Sequence, residues 1–173
     1  GKTTTAKLIH HLLDAAGFDV GLAGNIGYSF AKQVALSDKA YYVLEVSSFQ
    51  LDYLQELSFD IAVLLNITPD HLDRYQNKME LYTRSKFKII QKKTPEQSFI
   101  YNKEDANILW GIKQICQTNQ EGFYGLEMPK PNEQSDLFTV SNTTFSMPKR
   151  DLPLQGRHNL YNMQVAVLVA NLL

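Results

Sequence analysis

Two short runs, Tyr41-Tyr42-Val43-Leu44-Glu45-Val46 and Ile61-Ala62-Val63-Leu64-Leu65, are apolar almost without a break. A strand with one wet face alternates apolar and polar residues, whereas a strand apolar at nearly every position is covered on both sides. Covering both faces of a sheet takes helices on each side, which confines the chain to the parallel α/β class. The neighbouring segments supply those helices. Residues 4–16 carry Ala6, Ile9, Leu13 and Ala16 at helical spacing, with Gly17 placed to end the helix. Residues 18–23 then read as a strand, Gly24-Asn25-Ile26-Gly27 as a turn, and residues 28–35 as a weak helix. Further on, the pattern predicts a helix over 77–93, a strand over 98–101, a helix over 105–118 and a strand over 123–125. Residues 128–135 have loop composition. Residues 137–140 and 143–147 flank Ser141-Asn142 as a hairpin, and residues 160–173 form a last apolar helix. The expected architecture is a mostly parallel sheet with helices on both faces, plus a short β-hairpin near residues 137–147, in one domain over 1–173.

Charge and cysteine content narrow the function. Lys and Arg number 17 against 18 Asp and Glu, a net charge of −1, and no basic run is present. That leaves no electrostatic basis for general nucleic-acid binding. The one cysteine, Cys116, cannot form an internal disulfide. No apolar run approaches the roughly 20 residues of a membrane span. The expectation is a cytoplasmic protein with no nucleic-acid or membrane partner.

Chemistry-bearing residues fall at the ends of the strands, where parallel sheets bind ligands. Gly1-Lys2-Thr3 ahead of a helix matches the last positions of the phosphate loop GxxxxGK[ST]. Gly admits the phosphates to the backbone, Lys meets the β/γ oxygens, and Thr offers a hydroxyl to Mg²⁺. A helix capped by one of the threonines would fit the same residues. Glu45 interrupts an apolar strand, and a carboxylate there is costly unless it is paired or bound to a cation. Mg²⁺ is one such cation, and a surface lysine is the alternative. After the next strand, Asp70 and His71 could hold a metal or a carboxylate, or could form a solvated turn with Asp70 as cap. In the helix over 77–93, Met79, Tyr82, Ile89 and Ile90 share a face and Lys86 falls among them, opposite Glu80, Arg84, Lys88 and Gln91. A desolvated lysine loses basicity and can take up CO₂ as a carbamate. Snorkelling to solvent or pairing with an acid accounts for the same placement more simply.

Together these segments resemble the central ATPase domain of the Mur ligases, the ATP-dependent amide-forming enzymes of peptidoglycan precursor synthesis. The resemblance runs through GKTTT at 1–5, GNIG at 24–27, LEVSSFQL at 44–51, NITPDHLDRY at 66–75, YTRSK at 82–86, YNKED at 101–105 and GRHNLYN at 156–162. The SSFQL form is similar to the D-glutamate-adding branch. The resemblance implies that Gly1, Lys2, Thr3 and Thr4 bind ATP, with Asn159 and Asn162 at the adenine; Asn159 would also serve as the N-cap of the last helix. It implies that Thr3 and Glu45 hold one Mg²⁺, and that His71 and a carbamylated Lys86 hold a second. Asn25, Ser47, Gln50 and His71 would contact the substrate, and Lys2, His71 and Lys86 would carry the catalysis. The implied partners are UDP-N-acetylmuramoyl-L-alanine and D-glutamate, acted on by a monomer. Gly1-Lys2-Thr3 opens the chain inside a motif, so the expectation is a middle domain of a longer enzyme, inactive in ligation by itself. The alternatives are a ParA/MinD-like ATPase, whose phosphate loop also ends in GKTTT, and another Mur-type or folylpolyglutamate ligase with a different acceptor.

Overall fold

A computed structural model describes residues 1–54, 56–91, 96–116, 120–130 and 135–173. The chain divides into two compact units, residues 1–45 with 128–173, and residues 46–127.

In the first unit, helix α1 (Lys2–Ala15) buries Thr5, Ala6, Ile9 and Leu13. Gly17, at φ +86°, terminates it. Its N–H reaches Asp14 O at 2.9 Å while that of Phe18 reaches Leu13 O at 3.0 Å, the paired bonds of a left-handed stop. Strand β1 (Val20–Gly24) leads through helix α2 (Phe30–Leu36) to strand β2 (Tyr41–Glu45). The strands pair in parallel, from Val20 beside Tyr41 to Gly24 beside Glu45. Helix α1 packs on both strands and along the C-terminal helix α6 (Arg157–Asn171), whose Val165 and Leu168 are fully buried. Each such side chain contributes about 1.5–3 kcal/mol through burial.

The second unit holds helix α3 (Ser48–Tyr53), strand β3 (Ile61–Leu64), a 3₁₀ turn Leu72–Tyr75 and helix α4 (Met79–Phe87). Helix α4 runs on as a 3₁₀ turn, Lys88–Ile90. Strand β4 (Ser98–Asn102), helix α5 (Ala106–Ile115) and strand β5 (Phe123–Leu126) complete it. The parallel order is β3-β4-β5, and in the central strand the successive residues Phe99 and Ile100 are both wholly buried. Successive strand residues face opposite ways, so both faces of this sheet are covered, as the apolar run over 61–65 requires. The run over 41–46 is less covered than expected, with Tyr41 exposed at the start of β2. In the core, the Phe87 ring lies so close to Gly111 in α5 that a Cβ there would sit 2.2 Å from it.

The parallel α/β class and the hairpin stand as expected. The hairpin strands, β6 (Leu137–Thr139) and β7 (Ser146–Pro148), belong to the first unit. Several boundaries differ for physical reasons. Helix α3 was not expected at all. The helix over 77–93 ends at Phe87 before tightening into the 3₁₀ turn, and its residues 92–93 lie outside the described residues. Asp105 caps α5, while residues 117–118 of that expected helix and residues 131–134 of the expected loop also lie outside. Helix α6 starts three residues earlier than expected, with Gly156 as N-cap at φ +95°. Asn159 is therefore inside the first turn and does not cap it, and Ala16 is exposed rather than on the buried face of α1. No described helix is long and apolar enough to cross a membrane.

Candidate functional site

The residues singled out from sequence divide between the two units. Gly1, Lys2, Thr3, Thr4, Asn25, Glu45, Asn159 and Asn162 lie in the first; Ser47, Gln50, His71 and Lys86 lie in the second.

In the first unit, Gly1 is the N-cap of α1 and no side chain caps the helix. The alternative of a threonine cap is therefore not realised. No acidic residue occupies the first turn, and Lys2 and Thr3 are exposed there. Uncapped N–H groups at the positive end of a helix dipole, beside a lysine and a threonine hydroxyl, are the kind of arrangement that can hold an anion.

Glu45 ends β2 and is only 5% exposed. Its Oε1 accepts a hydrogen bond from Asn25 Nδ2 at 3.3 Å, while Oε2 is buried with no hydrogen-bond partner. The turn between β1 and α2 creates this pairing. Gly24 adopts φ +100°, and a Cβ on it would lie 2.3 Å from the Glu45 carbonyl oxygen. Gly27 also adopts a positive φ, and the Asn25 N–H bonds Glu45 O at 2.7 Å. Only glycine at position 24 lets the backbone come close enough to lay Asn25 over Glu45.

A buried carboxylate with an unpartnered oxygen is expensive, and a divalent cation is a group that would satisfy it. Among the described residues, no group of three or more His, Cys, Asp or Glu side chains is assembled for a metal. The single Glu45 carboxylate would suit Mg²⁺, which takes one or two carboxylates and completes its octahedron with water and phosphate oxygens. In the same unit, Asn159 Nδ2 donates to Gln155 O at 2.9 Å and Asn162 is buried in α6.

In the second unit, Ser47 caps α3 through a reciprocal pair. Ser47 Oγ accepts from the Gln50 N–H at 3.3 Å, and Gln50 Oε1 accepts from the Ser47 N–H at 2.9 Å. This is the capping box S-x-x-Q, legible in the sequence as a helix start. His71 begins the 3₁₀ turn in a left-handed conformation, φ 47°. Its side chain is 64% exposed, with Nε2 3.4 Å from Asp70 Oδ1. It makes no side-chain cap, and Asp70 is not the N-cap either.

Lys86 is half-buried, with Nζ 4.9 Å from the centre of the Tyr82 ring. A series of ring contacts connects the two residues. His71 lies 5.5 Å from Phe49, Phe49 6.3 Å from Tyr75, and Tyr75 5.2 Å from Tyr82. Arg74 adds its guanidinium over Phe49 at 4.4 Å. Burial, then the negative charge of Asp70 and the neighbouring Tyr75, pushes the Tyr82 phenol above its ordinary pKa. Lys88, expected on the solvent face, is instead half-buried and pairs with Asp52 at 2.7 Å.

Residues 1–170 match the Mur ligase middle domain. The chain belongs to the Mur ligase family. Three Mur ligases show the similarity in detail. A UDP-N-acetylmuramoylalanine--D-glutamate ligase of Christiangramia forsetii is 43% identical across 100% of the chain and 40% of its own length. Those of Bacteroides fragilis and Porphyromonas gingivalis are 44% and 40% identical, over 99% and 98% of the chain and 40% and 39% of their own lengths. The chain thus spans about 40% of the length of these relatives. A match of this extent disfavours the ParA/MinD-like alternative.

Two features of this Mur ligase domain were missed from sequence: the Asn25–Glu45 pair and the Asp52–Lys88 pair. Asn25 lies in a turn and Glu45 in a strand, and the sequence signal was Gly24 alone, whose positive φ and close approach to β2 only the structure shows. Asp52 follows SSFQL directly, and recognising the capping box would have placed it one turn into a helix, as a carboxylate needing partners.

Proposed function

We propose that the chain supplies the ATP-binding and catalytic core of a ligase that joins D-glutamate to UDP-N-acetylmuramoyl-L-alanine, releasing ADP and phosphate. The chemistry rests on Glu45, a buried carboxylate with an unsatisfied oxygen in the same unit as the uncapped Gly1-Lys2-Thr3 helix start. The choice of acceptor is supported by the names of the similar ligases.

In this reading Lys2 meets the β- and γ-phosphate oxygens, and Gly1, Thr3 and Thr4 line them with the first turn of α1. Asn159 and Asn162 lie at the adenine. Thr3 and Glu45 hold one Mg²⁺, and His71 with Lys86 as its carbamate holds a second. Bound there, Mg²⁺ neutralises phosphate charge and lowers the repulsion toward an anionic nucleophile. The L-alanine carboxylate attacks the γ-phosphorus, ADP leaves, and an acyl phosphate forms. The D-glutamate amine then attacks the acyl carbon, the tetrahedral intermediate expels phosphate, and the amine proton is lost to solvent. Lys2 balances charge as it builds on the departing ADP. Asn25 spends one amide N–H on Glu45 and keeps its other N–H and its Oδ1 for the muramoyl-L-alanine end. Within the second unit, the capping box leaves Gln50 its Nε2, beside Ser47, free to contact substrate.

The test is phosphate release by the full-length ligase, expected only when UDP-N-acetylmuramoyl-L-alanine and D-glutamate are both present. Release at an equal rate with a different amino acid, or with none, would overturn the assignment. Carbamylation has its own readout: ¹³C-bicarbonate should give a carbamate NMR signal in the wild-type protein that Lys86→Arg lacks.

A further inference from the structure

Three segments of the second unit carry proposed site residues: the start of α3 with Ser47 and Gln50, the 3₁₀ turn opened by His71, and helix α4 with Lys86. One carboxylate binds all three. Asp52 Oδ2 accepts from the Tyr75 hydroxyl at 3.1 Å, and Oδ1 accepts from Ser85 Oγ at 2.9 Å and Lys88 Nζ at 2.7 Å. Ser85 Oγ also lies 3.1 Å from the carbonyl oxygen of Ser48, the first residue of α3, and 3.2 Å from the Tyr75 hydroxyl.

Each partner sits next to a proposed functional residue. Tyr75 closes the turn that His71 opens, Ser85 precedes Lys86, and Ser48 follows the capping Ser47. Tyr75 and Ser85 are 8% and 3% exposed, so without Asp52 their hydroxyls would lose a partner that buried groups need. The three donors also match the chemistry of a carboxylate, which only accepts. An amide would offer N–H groups where the network supplies donors, and it would leave Lys88 without its counter-charge.

We propose that Asp52 is a positioning residue, fixing the α3 start, the His71 turn and the Lys86 helix in one arrangement through Tyr75, Ser85 and Lys88. The inference rests on the proposed roles of His71 and Lys86 for its effect on catalysis, but not for the arrangement itself. Misplacing catalytic groups by about an ångström costs on the order of 100-fold in rate, which makes such a residue consequential although it touches no substrate.

The experiment uses the full-length ligase, wild type, Asp52→Asn and Asp52→Ala, with Ile112→Val as a control. Ile112 is buried in the same core and has no part in the network. Amide hydrogen exchange reads the arrangement directly. In both Asp52 variants, exchange should rise about 10-fold together in residues 47–51, 71–75 and 82–87, and Ile112→Val should not reproduce this joint rise. Kinetics reads the consequence. With Asp52→Asn, kcat should fall about 10- to 100-fold and the Mg²⁺ concentration for half-maximal rate should rise several-fold, while KM for ATP stays within about twofold. Exchange and Mg²⁺ dependence that follow only the loss in Tm, as in Ile112→Val, would overturn the proposal. A wild-type enzyme without D-glutamate-dependent phosphate release would refute the functional reading, and the exchange data would still decide the role of Asp52.

Discussion

Asp105 Oδ2 accepts the backbone N–H of Ile67 at 2.8 Å, across 38 residues of chain. Its other oxygen caps α5, accepting the N–H groups of Asn107 and Ile108, each at 3.0 Å. Asn107 Nδ2 completes the clamp by donating to Ile67 O at 2.8 Å. One carboxylate therefore starts a helix and also anchors the segment leading from β3 to His71. Removing it as Asp105→Ala forfeits a cap, worth about 1 kcal/mol, and strands a buried N–H, worth about 1–3 kcal/mol. The expected loss is about 2–4 kcal/mol in urea denaturation. A loss below about 1 kcal/mol would mean that the Ile67 bond contributes nothing net.

Gly24 and Gly27 both hold positive φ but differ in what surrounds them. A Cβ on Gly24 would meet the Glu45 carbonyl oxygen at 2.3 Å, whereas one on Gly27 meets Leu22 O at a comfortable 3.4 Å. Gly27→Ala should therefore cost only the conformational term, about 1–2 kcal/mol. Gly24→Ala adds a backbone clash and should cost about 2–4 kcal/mol. It should also displace Glu45 and impair ligation in the full-length enzyme. Equal losses for the two variants would contradict the close approach of β1 to β2.

The Phe87–Gly111 contact makes a third prediction, with a built-in control. Alanine at position 111 improves helix propensity by about 1 kcal/mol but drives a Cβ to 2.2 Å from a buried ring. Overpacking of this kind costs about 1–3 kcal/mol, so Gly111→Ala should destabilise on balance. Pairing it with Phe87→Leu should recover part of the loss, a non-additivity that a double-mutant cycle measures. Strict additivity would place the strain elsewhere.

How much of this was legible follows from how local each signal is. The α1 face from Ala6 to Leu13 and the Gly17 stop depend on neighbouring residues, and sequence spacing places them; Ala16 and Tyr41, expected under cover, are exposed. Lys88 departs from the solvent face because helical spacing reports only its own helix, while Asp52 on α3 draws the lysine in. Helix α3 was hidden in a motif read only for chemistry, although Ser47 and Gln50 spell its capping box. The clamp on Ile67 and the Asn25–Glu45 pair join residues 38 and 20 positions apart, and no periodicity in a single sequence reports them.

The Asp52 network gives a pH dependence whose sign is fixed. Burial works to raise the carboxyl pKa, but the Lys88 ammonium and the Ser85 and Tyr75 hydroxyls outweigh it and hold the group below its ordinary value. The ionised form thus favours folding. Its contribution is complete above the unfolded pKa of about 3.9 and is lost as pH falls through the lower folded value. The stability difference between wild type and Asp52→Asn should be flat from about pH 8 to pH 6 and shrink below about pH 4. A difference that widens on acidification would reverse the sign and refute the charge-stabilised network.

Glu45 separates stability from function. Its Oε2 is buried without a hydrogen-bond partner, and an acceptor left unpaired in that way contributes nothing to the fold. Glu45→Gln keeps the shape and the acceptor for Asn25 while removing the charge, so the unliganded protein should hold its stability within about 1 kcal/mol. The same change removes the proposed Mg²⁺ ligand and should lower kcat of the full-length ligase on the order of 100- to 1,000-fold. Added Mg²⁺ and nucleotide should raise the Tm of the wild type more than that of the variant, because binding stabilises only the form that binds. The two measurements must separate, with stability held and activity lost. A variant that is both less stable and still active would show that Glu45 serves the fold and not the metal.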